Sequence, residues 1–123
     1  MRIQFYDDLD GGAKSREEVR LNELGLYVYE DGRRLAIGFN LTPFLERPSI
    51  LVRVTNANGD EAASLNVIEA MEPNFNVTVH LRDGDNVDPY QVEAFVYYGS
   101  SSGERQITDK QVKTFNSLEP GQQ

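Results

Sequence analysis

Apolar and polar side chains alternate one by one along this chain, and that pattern restricts it to β-strands. From 33 to 41, Leu35, Ile37, Phe39 and Leu41 fall on one face while Arg34, Ala36, Gly38 and Asn40 fall on the other. From 75 to 81, Phe75, Val77, Val79 and Leu81 alternate with Asn76, Thr78 and His80. Successive side chains of a strand point to opposite faces, so each stretch has one face to bury. A helix needs apolar residues three and four apart, and no window sustains that spacing.

Working outward from these two anchors gives seven segments, at about 19–29, 33–41, 49–55, 61–68, 74–81, 90–98 and an irregular 104–115. Turn chemistry separates them. Asp31-Gly32 makes a tight hairpin, Asn56-Ala57-Asn58-Gly59 makes another, and Pro43, Pro48 and Pro73 mark longer connections. Short strands with turn signals every 8–12 residues are the mark of an all-β sandwich or barrel. The expected fold is an antiparallel sandwich of about seven strands over residues 19–116. Before it lies an acidic lead-in, 1–18, where Ile3 and Phe5 offer a short extra edge strand; after it, 117–123 reads as a frayed tail.

The segment Asp88-Pro89-Tyr90-Gln91-Val92-Glu93-Ala94-Phe95-Val96 is similar to the sixth strand of immunoglobulin-like and fibronectin type III-like domains. In those folds a Tyr opens that strand and its hydroxyl bonds back to the preceding connection. The resemblance therefore implies a structural role for Tyr90. Val92 stands where an immunoglobulin domain usually has Cys, and the chain has no Cys or Trp, which excludes an antibody-type domain. Such sandwiches carry many unrelated functions.

Charge narrows the partners. The formal net charge is −8, which argues against nucleic acid and anionic membranes. No apolar run approaches the ~18 residues of a membrane span, and no basic-then-apolar signal opens the chain. With Cys absent as well, a cytoplasmic location is the expectation.

Little in the sequence points to catalysis. His80 is the one histidine and alternates outward; no nucleophile elbow accompanies it, and Ser100-Ser101-Ser102-Gly103 lies in a turn. Glu69 and Glu72 are the nearest pair of acids for glycoside chemistry, but no cleft is implied. Zinc and phosphate-loop patterns are missing. Asn76-Val77-Thr78 and Asn40-Leu41-Thr42 match a glycosylation acceptor, yet both sit inside strands.

The sequence offers two candidate binding sites. Residues 57–98 hold eight acids against one Arg, seven of the eight net charges. Alternate connections of a sandwich share a pole, so those at 30–32, 56–61 and 83–88 should gather acids there. Asp83, Asp85, Asp88 and Asp60 are the candidate ligands for Ca²⁺, which takes six to eight oxygens. The second site is aromatic. Tyr27 and Tyr29, with Phe95 and Tyr97, alternate against aliphatic neighbours and project outward, where such rings anchor partners. The expectation is a non-catalytic interaction module of a bacterial-type soluble protein, pairing with another protein or with itself through a sheet edge or face. The alternative is a Ca²⁺-linked carbohydrate-binding sandwich.

Overall fold

The computed structural model describes residue 3, residues 12–99 and residues 102–123. Among the described residues its strands are β1 (Leu21–Val28), β2 (Arg34–Leu41), β3 (Ser49–Thr55), β4 (Glu61–Val67), β5 (Asn74–His80), β6 (Tyr90–Gly99), β7 (Arg105–Phe115) and β8 (Gly121–Gln122), with a 3-10 turn at Arg16–Glu18. They form two four-stranded antiparallel sheets, in the orders β5-β2-β1-β8 and β4-β3-β6-β7. This is the all-β sandwich the alternation implied. Among the described residues no helix is long and apolar enough to cross a membrane.

The alternation becomes the core directly. Leu35, Ile37, Phe39 and Leu41 of β2 are all essentially inaccessible, and so are Ile50, Val52 and Val54 of β3 and Val92, Ala94 and Val96 of β6. Each side chain of that size contributes roughly 1.5–3 kcal/mol when fully buried. β2 is buried on both faces for most of its length, and Ile3 lies over its outer side at Gly38. A Cβ at Gly38 would stand 2.9 Å from the Ile3 Cβ, so only glycine fits there. The Asn76 side chain holds the same residue: Ile3 N–H donates to Oδ1 at 3.0 Å and Nδ2 donates to Ile3 O at 3.2 Å. Ile3 therefore packs on the face of the sheet, and Phe5 lies outside the described residues.

The tail departs from expectation. Ser117 is buried, and Gly121–Gln122 pairs with Tyr27 and Val28 as β8. Two polar contacts hold Ser117: its N–H donates to Asp88 Oδ1 at 2.7 Å, and Asn86 Nδ2 donates to its Oγ at 2.7 Å. A short polar segment with one apolar residue, Leu118, carries no periodic signal, so its backbone pairing was not legible.

β8 covers only one end of the outer edge of β1. Beyond it, side chains of β7 take over the task. Asp109 Oδ2 accepts from Leu21 N–H at 2.9 Å, Gln111 Nε2 donates to Leu21 O, and Lys113 Nζ donates to Leu24 O at 3.2 Å. These three residues pair across from inward-facing Val96, Ala94 and Val92, so an otherwise apolar inner face carries polar groups at the sandwich margin. A sheet edge left open is a template for further pairing. Here it is closed.

Candidate functional site

The three acidic connections do meet at one pole. Asn56 Nδ2 donates to Asp83 Oδ2 at 3.1 Å, Ala57 N–H donates to Val87 O at 3.1 Å, and Asn86 Nδ2 donates to Gly32 O at 2.7 Å. At the centre is Asp83, whose side chain is only 4% exposed. Tyr90 Oη donates to its Oδ2 at 2.6 Å, and Arg33 Nη2 pairs with its Oδ1 at 3.0 Å. The Tyr90 hydroxyl also accepts from Val87 N–H at 3.2 Å, and its ring stacks on Phe115 with centroids 5.1 Å apart.

This network sets two ionisation equilibria. Burial alone would raise the Asp83 carboxyl, but hydrogen bonds from Tyr90, Asn56 and Arg33 outweigh it and hold the group below the usual carboxylate value. Burial, then the adjoining carboxylate, pushes the Tyr90 phenol above its usual value.

Much of the candidate oxygen set is already engaged within the protein. Both Asp83 oxygens are taken by protein donors, and Asp88 Oδ1 holds Ser117. Asn86 spends its amide on Gly32 and Ser117. Asp60 and Asp85 are exposed beside this cluster. Among the described residues no three acids or histidines are placed to hold a metal ion.

The aromatic candidates are split between sheets. Tyr27 lies on the outer face of the β5-β2-β1-β8 sheet with Tyr29 just beyond it, their rings edge to face at 5.7 Å. Phe95 and Tyr97 lie on the outer face of the opposite sheet, so the four form no common patch. Cations cover three of them: Arg34 on Tyr29 at 4.4 Å, Lys110 on Phe95 at 5.2 Å and Arg105 on Tyr97 at 4.7 Å. Tyr97 is 6% exposed and its hydroxyl donates to Asn66 Oδ1 at 2.7 Å.

What alternation alone did not single out is the side of the sandwich where β4 and β5 end the two sheets. The backbone there is readable from two bonds to β2. Leu81 N–H donates to Arg33 O and Leu41 N–H donates to Pro73 O, both at 2.8 Å. Odd-numbered positions of β5 thus turn their backbone groups toward β2. Asn76, Thr78 and His80 turn theirs outward, and no described residue hydrogen-bonds to them there.

Along this side Leu65, Val67, Phe75 and Val77 touch the core yet stay half-buried. Concavities follow the seam. One of about 230 Å³ is lined by Val67, Ala70, Met71, Glu72 and Phe75. Another, of about 340 Å³, is bordered by Leu65, Thr78, His80 and Arg82. Ile68 and Met71 stand out from the β4–β5 connection at 64% and 77% exposure. His80 is exposed on β5, and Glu69 and Glu72 are exposed in the β4–β5 connection.

The margins of the sandwich differ in how they are protected. β7 carries Arg105, Asp109, Lys110 and Lys113 and a register break against β6. β4 begins at Glu61 and has a register break against β3; β8 has two residues. Charge, bulges and shortness all discourage edge-to-edge pairing. β5, Asn-Phe-Asn-Val-Thr-Val-His, has no Lys, Arg, Asp, Glu or Pro and runs unbroken against β2.

No protein-family model matches the sequence, and no curated protein does. Among solved structures the chain is similar to a Bifidobacterium dentium beta-glucuronidase complexed with coumarin-3-O-glucuronide. The TM-score is 0.56 at 11% identity, over 80% of this chain and 17% of the enzyme's. At that identity the likeness is one of fold: a two-sheet antiparallel sandwich spanning a small part of a larger protein.

Proposed function

We propose that this chain is a non-catalytic interaction module of immunoglobulin-like or fibronectin type III-like architecture, and that its binding element is the outer edge of β5. The observation that carries this reading is the contrast between margins. Side chains of β7 close the far edge of β1, whereas β5 keeps an unbroken, uncharged edge with outward backbone groups at Asn76, Thr78 and His80. An extended segment laid along it gains main-chain hydrogen bonds, and pockets beside the strand select alternate side chains. The half-buried Phe75 and Val77, with the concavity at Met71, supply those pockets. The Tyr90 hydroxyl bonded to the preceding connection supports the immunoglobulin-like assignment. Carbohydrate binding gains no support from four aromatics on opposite faces.

A library of random displayed peptides selected against the chain tests this. Selected peptides should slow amide exchange at Asn76, Thr78 and His80 and lose binding to Thr78→Pro. That proline removes an outward N–H and leaves the ladder to β2 intact, as edge strands tolerate. Peptides that bind equally well to Thr78→Pro would place the interaction elsewhere.

A further inference from the structure

The same edge is self-complementary. We infer that the segment it accepts is the β5 of a second copy, paired antiparallel about a two-fold axis through Val77, an inference that rests on the reading of β5 as the binding edge.

In an antiparallel pair, residues that turn their backbone toward each other form the hydrogen-bonded pairs. A register centred on Val77 sets Asn76 of one copy opposite Thr78 of the other, and Thr78 opposite Asn76. Both residues turn their backbone groups outward, so the bonds close without distortion of the β2–β5 ladder. A shift by one residue would set an outward group against an inward one. The backbone therefore admits only registers that pair even positions with even ones; in the one centred on Val77, Val77 meets its own copy and Phe75 meets Val79 on the side toward the core.

Charge favours this register. Glu72 precedes β5 and Arg82 follows it, each five residues from Val77 in sequence; both are exposed, and among the described residues neither has an ion-pair partner. The Arg82 N–H is held by Ala62 O of β4 at 2.8 Å, so strand pairing ends at His80, and two-fold pairing brings the Glu72 side chain of each copy toward the Arg82 side chain of the other just beyond each end of the junction. β5 itself carries only His80 as a titratable group, so a chain with net charge −8 meets its copy along a strand that has no acid. Like charges opposed across strands are destabilising, and here none are opposed. The half-buried Phe75 and Val77 are covered in the same step, as closed symmetric dimers require of a self-complementary patch.

Sedimentation velocity over a concentration series, with amide exchange at the lowest and highest concentrations, is the test. The wild type should show a monomer–dimer equilibrium, with Asn76 and Thr78 amides slowing as dimer forms. Thr78→Pro should remain monomeric while keeping its folded circular dichroism spectrum. Glu72→Arg and Arg82→Glu should each raise the dimer dissociation constant at least tenfold, and the double variant should restore most of the affinity. A wild type that stays monomeric throughout overturns self-pairing, as does a dimer indifferent to Thr78→Pro or a double variant no better than its parents. If the monomer still captures displayed peptides on Asn76 and Thr78, only the choice of occupant has failed. If it captures none there, the reading of the edge fails with it.

Discussion

Asp109 on β7 accepts the backbone N–H of Leu21 on β1 at 2.9 Å, a hydrogen bond between the two sheets of the sandwich in place of one between neighbouring strands. With Gln111 and Lys113 it makes β7 a substitute for the strand that β1 lacks beyond β8. Half-buried backbone groups of this kind need a partner, and the carboxylate is a strong one.

Asp109→Ala should therefore destabilise the chain by about 1–3 kcal/mol, the usual cost of leaving a buried donor unsatisfied. Urea denaturation measures it. Asp109→Asn retains an acceptor oxygen and should lose less than half as much. Amide exchange at Leu21 should accelerate in the alanine variant ahead of the rest of β1. An exchange rate unchanged at Leu21 would show that the side chain does not hold that edge.

The second prediction concerns the Asp83 cluster. Removing the hydroxyl in Tyr90→Phe deletes one donor to a buried carboxylate and should cost about 1.5–3 kcal/mol, the range for hydrogen bonds to charged groups. Asp83→Ala is the harsher change, because it strands the Arg33 guanidinium, the Asn56 amide and the Tyr90 hydroxyl together. Breaking a fully buried pair from one side costs about 3–5 kcal/mol, and the lower end applies here because Arg33 is a quarter exposed and water screens the stranded charge. Because these groups share partners, Tyr90→Phe and Asp83→Ala should combine to less than their sum. Strict additivity in a double-mutant cycle would contradict the shared network.

Gly38 gives a third. A methyl group there would sit 2.9 Å from Ile3 Cβ and 3.1 Å from Asn76 Oδ1. β2 itself is anchored on both sides and by its core face, so Gly38→Ala should displace Ile3 and leave the sandwich intact. Exposure of one isoleucine side chain corresponds to about 1.5–3 kcal/mol at most. NMR should show the Asn76 side-chain amide moving to solvent-like shifts while β2 core resonances stay. Loss of the β2 resonances would mean that the position serves strand packing rather than the contact with Ile3.

The fold was legible in the sequence because alternation is local: Leu35 to Leu41 announce a strand whatever they pack on. The Asp83 site was half legible. Topology brought three connections to one pole, but a count of acids treats each carboxylate as free. The Asp83 partners Arg33 and Asn56 lie 50 and 27 residues away, and no spacing rule brings them to the same carboxylate. Tyr90 was reached only through the resemblance of its strand. The aromatic pairs were assigned outward on each strand, yet which sheet receives β1 and which receives β6 is a matter of strand order. The same holds for β5. Its lack of charge is visible in Asn-Phe-Asn-Val-Thr-Val-His, and becomes meaningful only when the order β5-β2-β1-β8 puts that strand at a margin.

The last prediction is the pH profile of stability, whose sign follows from the two shifted groups of the Asp83 cluster. The Asp83 carboxyl ionises below its usual value in the fold, so its contribution is complete above the ordinary carboxylate range and disappears as pH falls through the lowered folded value. Tyr90 ionises above its usual value, so its contribution is complete below the ordinary phenol range and disappears as pH rises through the raised folded value. Burial raises Tyr98 in the same sense, so it shares the alkaline limb. Hydrogen bonds from Arg33 N–H and then Arg34 lower Asp31, which therefore shares the acid limb, though its exposure leaves it well screened. Denaturation midpoints measured across pH should give a plateau with a fall at each end. Asp83→Asn should flatten most of the acid fall, and Tyr90→Phe should flatten part of the alkaline one while Tyr98 retains the rest. An acid limb equally steep in Asp83→Asn would assign the loss to surface carboxylates instead.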